Sequence, residues 1–368
     1  MTRPLPTVAL LLACAILAPI AAAADRAPSK LGFLFDMRDA KCGMGNLCFP
    51  EFNTTLLVID GDKMRVAVSS PHFYVPRKNG FWELGTTLPG TLAGTRLQTK
   101  QQDAEDDSSA EFVWQLWAAP LGTRPALSLP RPPKDPTAPE QPEEPSDDSD
   151  ELKSLQLTWA GTDYLSVDEQ IGEYATRHLI LRLDDVGSNL DDSPWMPKLS
   201  AAVVRKDVEN CVAEKSDFNT HAFLDDAAQA WSITRGRMRW EFQWTFSHDG
   251  RALRGYEAAC SPSVHPPGEL VGSDTLGVGW NQVLAKVPDA QTAFATPDRS
   301  LLLVFTNTQI LALRREGEVL GAPFARVFLQ TTEVLSAQWA IGRYADEWAA
   351  QLSQAQSWTD LNQPANKH

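Results

Sequence analysis

The sequence predicts a mainly β fold of the α+β class, in which antiparallel meander sheets carry two or three accessory helices. Three observations indicate this class. Short apolar runs alternate with polar residues, dipeptides typical of tight turns separate many of these runs, and few segments have helical periodicity. The clearest run is Met238–Phe246, where large apolar side chains alternate with polar ones throughout.

The chain begins with the pattern of an export signal. Arg3 precedes a short apolar stretch that ends in four alanines at Ala24, as in cleaved secretory peptides. We therefore predict a signal peptide over 1–24 and a periplasmic or secreted protein. As an alternative, Leu11-Leu12-Ala13-Cys14 resembles the lipobox of bacterial lipoproteins, which implies a lipid anchor on Cys14. No later run reaches the ~18 apolar residues that a spanning helix needs, so no transmembrane segment is expected.

Region 25–129 is predicted to be rich in β-strands. Asp60-Gly61 and Asn79-Gly80 are turn dipeptides that suit hairpins, because type I′ turns require positive φ at both central residues. The predicted strands are Thr54–Ile59, Lys63–Val68, Phe73–Val75, Phe81–Leu84 and Phe112–Trp117. Short strands joined by tight turns predict an antiparallel meander.

Region 130–153 is a Pro-rich acidic linker or a long loop. Seven prolines fall between Pro130 and Pro145, and Asp147, Asp148, Asp150 and Glu151 follow them. Proline removes backbone donors and neighbouring carboxylates repel one another, so this stretch cannot build a core of its own.

Region 154–368 is predicted to combine strands with helices. The predicted strands are Leu155–Trp159, Thr176–Leu183, Trp231–Arg235, Met238–Phe246, Leu301–Phe305 and Ile310–Leu313. Two helical stripes complete the region, one formed by Val204, Val208, Cys211 and Val212 and the other by Tyr344, Trp348, Leu352 and Ala355.

One short segment resembles a known architecture. Thr296-Pro297-Asp298 precedes the apolar strand Leu301–Phe305, which is similar to the Ser-Pro-Asp-Gly turn of a β-propeller blade. Thr296 replaces the usual Ser and Arg299 the usual Gly, and no second copy follows at a fixed period. The resemblance implies a β-propeller-like fold as the alternative.

Four cysteines remain beyond the signal: Cys42, Cys48, Cys211 and Cys260. An even number in an exported chain predicts two disulfide bonds, although four cysteines allow three connectivities. Proximity in sequence favours Cys42–Cys48 and Cys211–Cys260.

The charge balance narrows the choice of partners. The chain has 33 Lys and Arg residues against 47 Asp and Glu residues, for a formal net charge of −14. Such a chain repels phosphate backbones, so nucleic acid is an unfavourable partner and a protein or carbohydrate is expected instead. Known cofactor motifs do not occur, and no cofactor is expected.

Two sets of residues are candidates for binding. Trp240 and Trp244 share one strand face and could hold a ligand, although a core face is the simpler interpretation. Asp184, Asp185, Asp191 and Asp192 concentrate the oxygen ligands that calcium needs, but their spacing departs from that of an EF-hand, so no metal is expected. Catalytic residues cannot be assigned, because no histidine has partners at a catalytic or metal-binding spacing.

These observations predict an exported, disulfide-stabilised envelope protein that acts as a non-catalytic binding or interaction module. Two alternatives remain open. One is a periplasmic hydrolase whose site is assembled only in the fold, and the other is a lipidated scaffold protein of an envelope complex.

Overall fold

A computed structural model describes eight segments of the chain and the single helical positions 206 and 210. The segments are 30–42, 48–87, 115–123, 152–171, 175–186, 231–243, 264–272 and 274–362.

The described residues are mostly in β-strands, which confirms the predicted fold class. The strands are β1 (Lys30–Cys42), β2 (Cys48–Asp60), β3 (Lys63–Ser70), β4 (Phe73–Arg77), β5 (Gly80–Thr87), β6 (Gln115–Pro120), β7 (Leu152–Ala160), β8 (Tyr164–Ile171), β9 (Ala175–Arg182), β10 (Ser232–Arg235), β11 (Trp240–Gln243), β12 (Thr292–Ala295), β13 (Leu301–Phe305), β14 (Gln309–Glu316), β15 (Val319–Phe328) and β16 (Glu333–Ile341). The helices are α1 (Gly268–Val271), α2 (Trp280–Lys286) and α3 (Arg343–Asn362), and a 3₁₀ turn covers Leu183–Asp185.

The strands form five antiparallel sheets. Sheet A has the order β16-β1-β2-β3, sheet B has β4-β5-β6, sheet C has β7-β8-β9, sheet D has β10-β11, and sheet E has β12-β13-β14-β15. Within each sheet, apart from the pairing of β16 with β1, sequential strands are neighbours, so the predicted meander is confirmed for the described segments.

The propeller alternative is not supported, because the described sheets form no closed propeller. Their strand numbers differ, with four, three, three, two and four strands in sheets A to E, instead of repeating one blade. The propeller-like turn itself does form. Asp298 Oδ1 accepts hydrogen bonds from the Thr296 hydroxyl at 2.6 Å and from the Ser300 backbone N–H at 3.1 Å.

Two predicted hairpins form with their turns displaced by one residue. Asp60 pairs with Lys63, so the two-residue turn is Gly61-Asp62. Arg77 pairs with Gly80, so the second turn is Lys78-Asn79. Strand β2 runs one residue further than expected, to Asp60, because Asp60 still has a cross-strand partner. Strand β4 runs two residues further, to Arg77, and β5 begins one residue earlier, at Gly80, for the same reason.

The central strands of sheet A, β1 and β2, are buried on both faces. Phe33 and Phe35 of β1 lie on one face, where the Phe33 ring lies 5.3 Å from Phe294 of sheet E and 4.5 Å from Trp339 of β16. Leu34 and Leu56 lie on the other face, in a cluster with Tyr74 of sheet B and Leu352 of α3. The central sheet therefore joins residues from both ends of the described chain in one core.

Helix α3 covers the second face of sheet A through small and apolar side chains. Ala345, Leu352 and Ala355 are buried, whereas Tyr344, which the predicted stripe included, is 50% exposed. The apolar face is therefore rotated by one residue at the start of the helix. A Cβ placed on Gly32 of β1 would lie 3.1 Å from Ala345 Cβ, so helix and sheet meet closely at this glycine.

A buried ion pair links sheet D to the segment before α2. Arg235 Nη1 lies 2.7 Å from both carboxylate oxygens of Asp274, and the Arg235 guanidinium lies 3.8 Å from the ring centroid of Phe294. Its Nε also donates to the Thr292 hydroxyl at 3.0 Å. Arg235 is therefore committed to holding sheets D and E together and is not available to a ligand.

Candidate functional site

An open groove of about 500 Å³ lies where sheet B meets α3, and we call it the His72 groove. Sheet B supplies one wall through the β4–β5 hairpin and the end of β6, and α3 supplies the other. Its lining residues are His72, Tyr74, Asn79, Gly80, Phe81, Glu83, Pro120, Leu121, Gly122, Thr123, Gln351, Gln354 and Ala355.

A histidine–carboxylate pair lies in this groove. The β4–β5 register sets Tyr74 opposite Glu83, which brings His72, two residues earlier, diagonally beside the same carboxylate. His72 Nδ1 lies 2.9 Å from Glu83 Oε1, and the two side chains are 28% and 25% exposed. Both groups therefore remain accessible to a ligand while holding each other in place.

The other polar side chains of the lining are uncharged. Asn79, Thr123, Gln351 and Gln354 contribute amides and a hydroxyl, and no lysine or arginine belongs to the described lining. Amides offer both donors and acceptors, and a hydroxyl can serve as either. The groove can therefore form hydrogen bonds in both directions and carries little net charge, because Glu83 is the single acidic residue in the described lining.

A row of buried polar side chains crosses sheet A beneath the groove. The register pairs Ser336 with Asp36, Asp36 with Thr54, and Thr54 with Ser70, so one side chain comes from each of the four strands. All four are at most 1% exposed. Cross-strand partners point to the same face of a sheet, so these groups form one continuous polar row in an otherwise apolar layer.

The row is connected to the groove through Thr54. The Thr54 hydroxyl lies 2.6 Å from the His72 carbonyl oxygen and also contacts Asp36 Oδ1, while the Tyr74 backbone N–H donates to Thr54 Oγ1 at 2.9 Å. A hydroxyl has a single hydrogen. If Thr54 donates it to His72, the contact with Asp36 is satisfied by a proton on the carboxyl group.

The surroundings of Asp36 favour that protonated state. Burial raises its pKa from 3.8 to about 7, and the opposing hydrogen bonds from Thr54 and the Tyr74 N–H do not cancel the effect. Among the described residues, Asp36 Oδ2 and Ser336 Oγ have no hydrogen-bond partner of ordinary geometry. Asp36 is thus a buried acid that is close to its midpoint at neutral pH.

The structure assigns Trp240 to the core. It is 3% exposed and its ring makes an edge-on contact with Trp159 at 6.3 Å, so its indole offers no shelf for a ligand. Trp244 lies outside the described residues. The alternating pattern that suggested a ligand-binding face is therefore explained by burial, because Trp240 and Phe242 lie on the buried face of the strand.

The candidate calcium residues are only partly described. Asp184 binds Arg77 at 2.6 Å, and this hydrogen bond holds the pKa of the Asp184 carboxyl below its usual value. Asp185 is exposed, and Asp191 and Asp192 lie outside the described residues. Within the described segments, no group of three or more His, Cys, Asp or Glu residues is arranged to hold a metal ion.

Of the four predicted disulfide cysteines, the structure describes Cys42 and Cys48, and of these two only the backbone. Cys42 is the cross-strand partner of Cys48 at the end of the β1–β2 pairing where the chain passes from one strand to the other. Cys211 and Cys260 lie outside the described residues. Both disulfides stay predictions.

The histidines have very different environments. His178 of β9 is 2% exposed and its Nδ1 lies 2.6 Å from Asp168 Oδ1 of β8, which makes it a buried member of sheet C. His265 is exposed in the segment before α1, and His221, His248 and His368 lie outside the described residues. Of these histidines, His72 is the one that lines the groove between sheet B and α3.

The His72–Glu83 pair was not predicted from the sequence. The observed Lys78-Asn79 turn sets Tyr74 opposite Glu83 and so brings His72 beside the same carboxylate. Counting back from the predicted Asn79-Gly80 turn would have set Pro76 opposite Glu83 instead, because that turn lies one residue further along the chain. Gln351 and Gln354 gave no sequence signal, because α3 reaches the groove through tertiary packing.

Comparison of the chain with protein-family models, with curated proteins and with solved structures finds no match. No helix in the described segments has the length and apolar character needed to cross a membrane.

Proposed function

We propose that this chain is an exported, disulfide-stabilised envelope protein that acts as a non-catalytic binding module, and that the His72 groove takes a neutral, hydroxyl-rich ligand such as an oligosaccharide. The observation that carries the proposal is the groove lining, which combines amide, hydroxyl and imidazole groups with no lysine or arginine among the described residues.

The chemistry of the lining matches sugar hydroxyls. Each hydroxyl of a sugar both donates and accepts a hydrogen bond, so a site with several amides, a hydroxyl and one carboxylate can satisfy both roles. An anionic ligand would have no lysine or arginine partner in the described lining and would face Glu83. The export-signal pattern of residues 1–24 supports a location where such ligands occur.

Calorimetric titration of the full chain with neutral oligosaccharides of glucose and of N-acetylglucosamine tests the proposal. We expect at least one of them to bind, and we expect Gln351→Ala and Glu83→Gln each to weaken binding by about tenfold, as one lost hydrogen bond to a ligand does. Gln330→Ala is the matched control, since Gln330 is exposed and lies outside the groove.

Binding that is unchanged in Gln351→Ala and Glu83→Gln, or no binding of any neutral oligosaccharide, would refute this assignment of the groove.

A hydrolase is the second candidate, and the His72–Glu83 distance of 2.9 Å favours it. A carboxylate that orients an imidazole is the arrangement by which histidine acts as a general base toward water or a hydroxyl. If this is the function, the oligosaccharide that binds is cleaved, and Glu83→Gln lowers the rate of cleavage more than it lowers affinity.

A further inference from the structure

Two side chains of sheet A hold the edge of sheet B at the start of β4. Strand β4 is an edge strand of sheet B among the described strands, since it pairs with β5 on one side. On its other side, the Tyr74 N–H lies 2.9 Å from Thr54 Oγ1 and 3.2 Å from Asp36 Oδ1, and the His72 carbonyl oxygen lies 2.6 Å from Thr54 Oγ1. Thr54 and Asp36 therefore set the position of the backbone where it enters the His72 groove.

The Thr54 hydroxyl contacts two acceptors and has one hydrogen to share between them. It donates to the His72 carbonyl only if Asp36 supplies a proton of its own to the Thr54–Asp36 contact. If Asp36 is ionised, the hydroxyl turns to the carboxylate, and the His72 carbonyl then faces a lone pair of Thr54 at 2.6 Å. Two oxygens at that distance with no hydrogen between them repel, so the two ionisation states of Asp36 do not share one position of the His72 carbonyl.

The groups that face Asp36 from the neighbouring strands are uncharged. The register places Thr54 of β2 and Ser336 of β16 beside it, and β4 contributes the Tyr74 N–H. Helix α3 contributes apolar side chains to the cluster on this face of sheet A, among them Leu352. Burial raises the pKa of Asp36 to about 7, and no charged group is among the causes of this shift.

The ionisable side chains on the surrounding elements are engaged with one another. Arg38, two residues along β1, is paired with Glu333 of β16. The titratable side chains beside this point on β4 and β5 are His72, Tyr74 and Glu83, and His72 Nδ1 lies 2.9 Å from Glu83 Oε1. A change of charge on Asp36 is therefore answered by its hydrogen-bond partners, of which the Thr54 hydroxyl is free to rotate.

A shift of the His72 carbonyl changes the groove, because the His72 ring lies 5.8 Å from the Tyr74 ring and is paired with Glu83. We propose that Asp36 and Thr54 form a hydrogen-bond switch, the Thr54 switch, that positions His72 according to whether Asp36 carries a proton. When Asp36 loses its proton to solvent, the Thr54 hydroxyl turns from His72 to the carboxylate and the His72 carbonyl moves away. The consequence for ligand affinity rests on the proposed function of the groove, whereas the switch itself does not.

Chemical shifts of the isotope-labelled full chain test the switch without a ligand. Between pH 5 and pH 9, the His72 carbonyl carbon and the Phe73 amide nitrogen should shift with a midpoint of about 7, as Thr54 stops donating to that carbonyl. In Asp36→Asn, which offers Thr54 an amide N–H at every pH, this shift should be lost. Ionisation of the His72 ring acts in both proteins, so the difference between them reports Asp36.

Thr54→Val is the second variant, because it removes the hydroxyl and keeps a β-branched side chain. It should uncouple His72 from Asp36, whereas Thr54→Ser, which keeps the hydroxyl, should retain the shift. Asp60→Asn, at an exposed aspartate outside the groove, is the matched control and should titrate like wild type. The same titration of the His72 carbonyl in wild type, Asp36→Asn and Thr54→Val, or its absence from wild type, would overturn the proposal.

Calorimetric titration with the neutral oligosaccharide that binds measures the consequence for affinity. We expect wild type to bind it about tenfold more weakly at pH 8.5 than at pH 5.5, and Asp36→Asn to show a smaller change. An equal change in both proteins would refute the coupling of the switch to the ligand. No binding at either pH would refute the proposed function instead, and the chemical shifts would still decide the switch.

Discussion

Asp36 lies in an environment very different from the one that its side chain prefers in water. It is fully buried, its pKa is raised to about 7, and the hydrogen-bond geometry around Thr54 is satisfied when the carboxyl carries a proton. A buried carboxyl in this state donates a hydrogen bond instead of requiring a cation.

This state makes the stability of the protein depend on pH. The unfolded chain releases the Asp36 proton near pH 3.8, whereas the folded chain keeps it to about pH 7. Between these values the folded state binds more protons, so the free energy of unfolding falls as pH rises, by about 4 kcal/mol over the whole window. Urea unfolding of wild type and Asp36→Asn at pH 4.5 and pH 8 measures the effect.

The asparagine variant has no proton to lose, and all other groups titrate alike in both proteins. The difference in unfolding free energy between the two should therefore shift in favour of Asp36→Asn as pH rises. A difference that stays constant between the two pH values would show that Asp36 is ionised in the folded protein throughout.

At the scale of single elements, the packing of α3 on sheet A depends on buried residues that recur at helical spacing. Leu352 is 0% exposed and belongs to the cluster that contains Leu34 and Leu56 of sheet A. Leu352→Ala should lower the free energy of unfolding by about 3 kcal/mol, because it leaves a cavity between helix and sheet. Chemical denaturation followed by tryptophan fluorescence provides the value.

Tyr344→Ala is the control on the same helix. Tyr344 is 50% exposed, so its loss should cost less than about 1 kcal/mol. Equal losses for the two variants would mean that α3 packs on sheet A through a different face.

The β1–β2 pairing predicts how two of the cysteines are linked. Cys42 and Cys48 are cross-strand partners, and such partners have backbone spacings that a disulfide can bridge. Peptide mapping of the protein purified from an oxidising compartment without reductant should recover a Cys42–Cys48 link, and reduction should cost about 2 kcal/mol of stability. Free thiols at both positions would contradict the prediction.

Local patterns were enough to predict some elements and not others. The β4–β5 hairpin and the Trp240–Gln243 strand were predictable because their turn residues and alternation lie within a few positions. Strand β1 was missed, because its run Leu31-Gly32-Phe33-Leu34-Phe35 is buried on both faces and does not alternate.

The candidate site was harder to predict than the strands, because its residues come from distant parts of the chain. His72 and Glu83 are 11 positions apart and their contact follows from a hairpin register, but Gln351 comes from the other end of the chain. Asp36 carries no sequence signal at all, because its pKa depends on burial by residues from β2, β4 and β16.

At the scale of the whole molecule, sheet A unites the two ends of the described chain. Strand β16 pairs with β1 along most of its length and covers Phe33 with Trp339. A chain that ends at Gln330 loses β16 and α3 together, which uncovers β1 on one edge and on the face that contains Leu34. We expect it to lack a cooperative unfolding transition and to bind a hydrophobic dye.

A chain that ends at Asn362 keeps both elements and serves as the control, with an unfolding transition like that of the full chain. If the shorter chain unfolded as cooperatively as this control, the β1–β16 pairing would be dispensable to the fold.

The most direct test of the binding account is to map the ligand on the folded protein. Amide chemical shifts of the isotope-labelled chain, followed during titration with the oligosaccharide that binds in calorimetry, report which backbone positions sense it. The account predicts shifts concentrated at 72–83, 120–123 and 351–355, where sheet B meets α3. Shifts confined to other parts of the chain would contradict the assignment of the His72 groove as the ligand site.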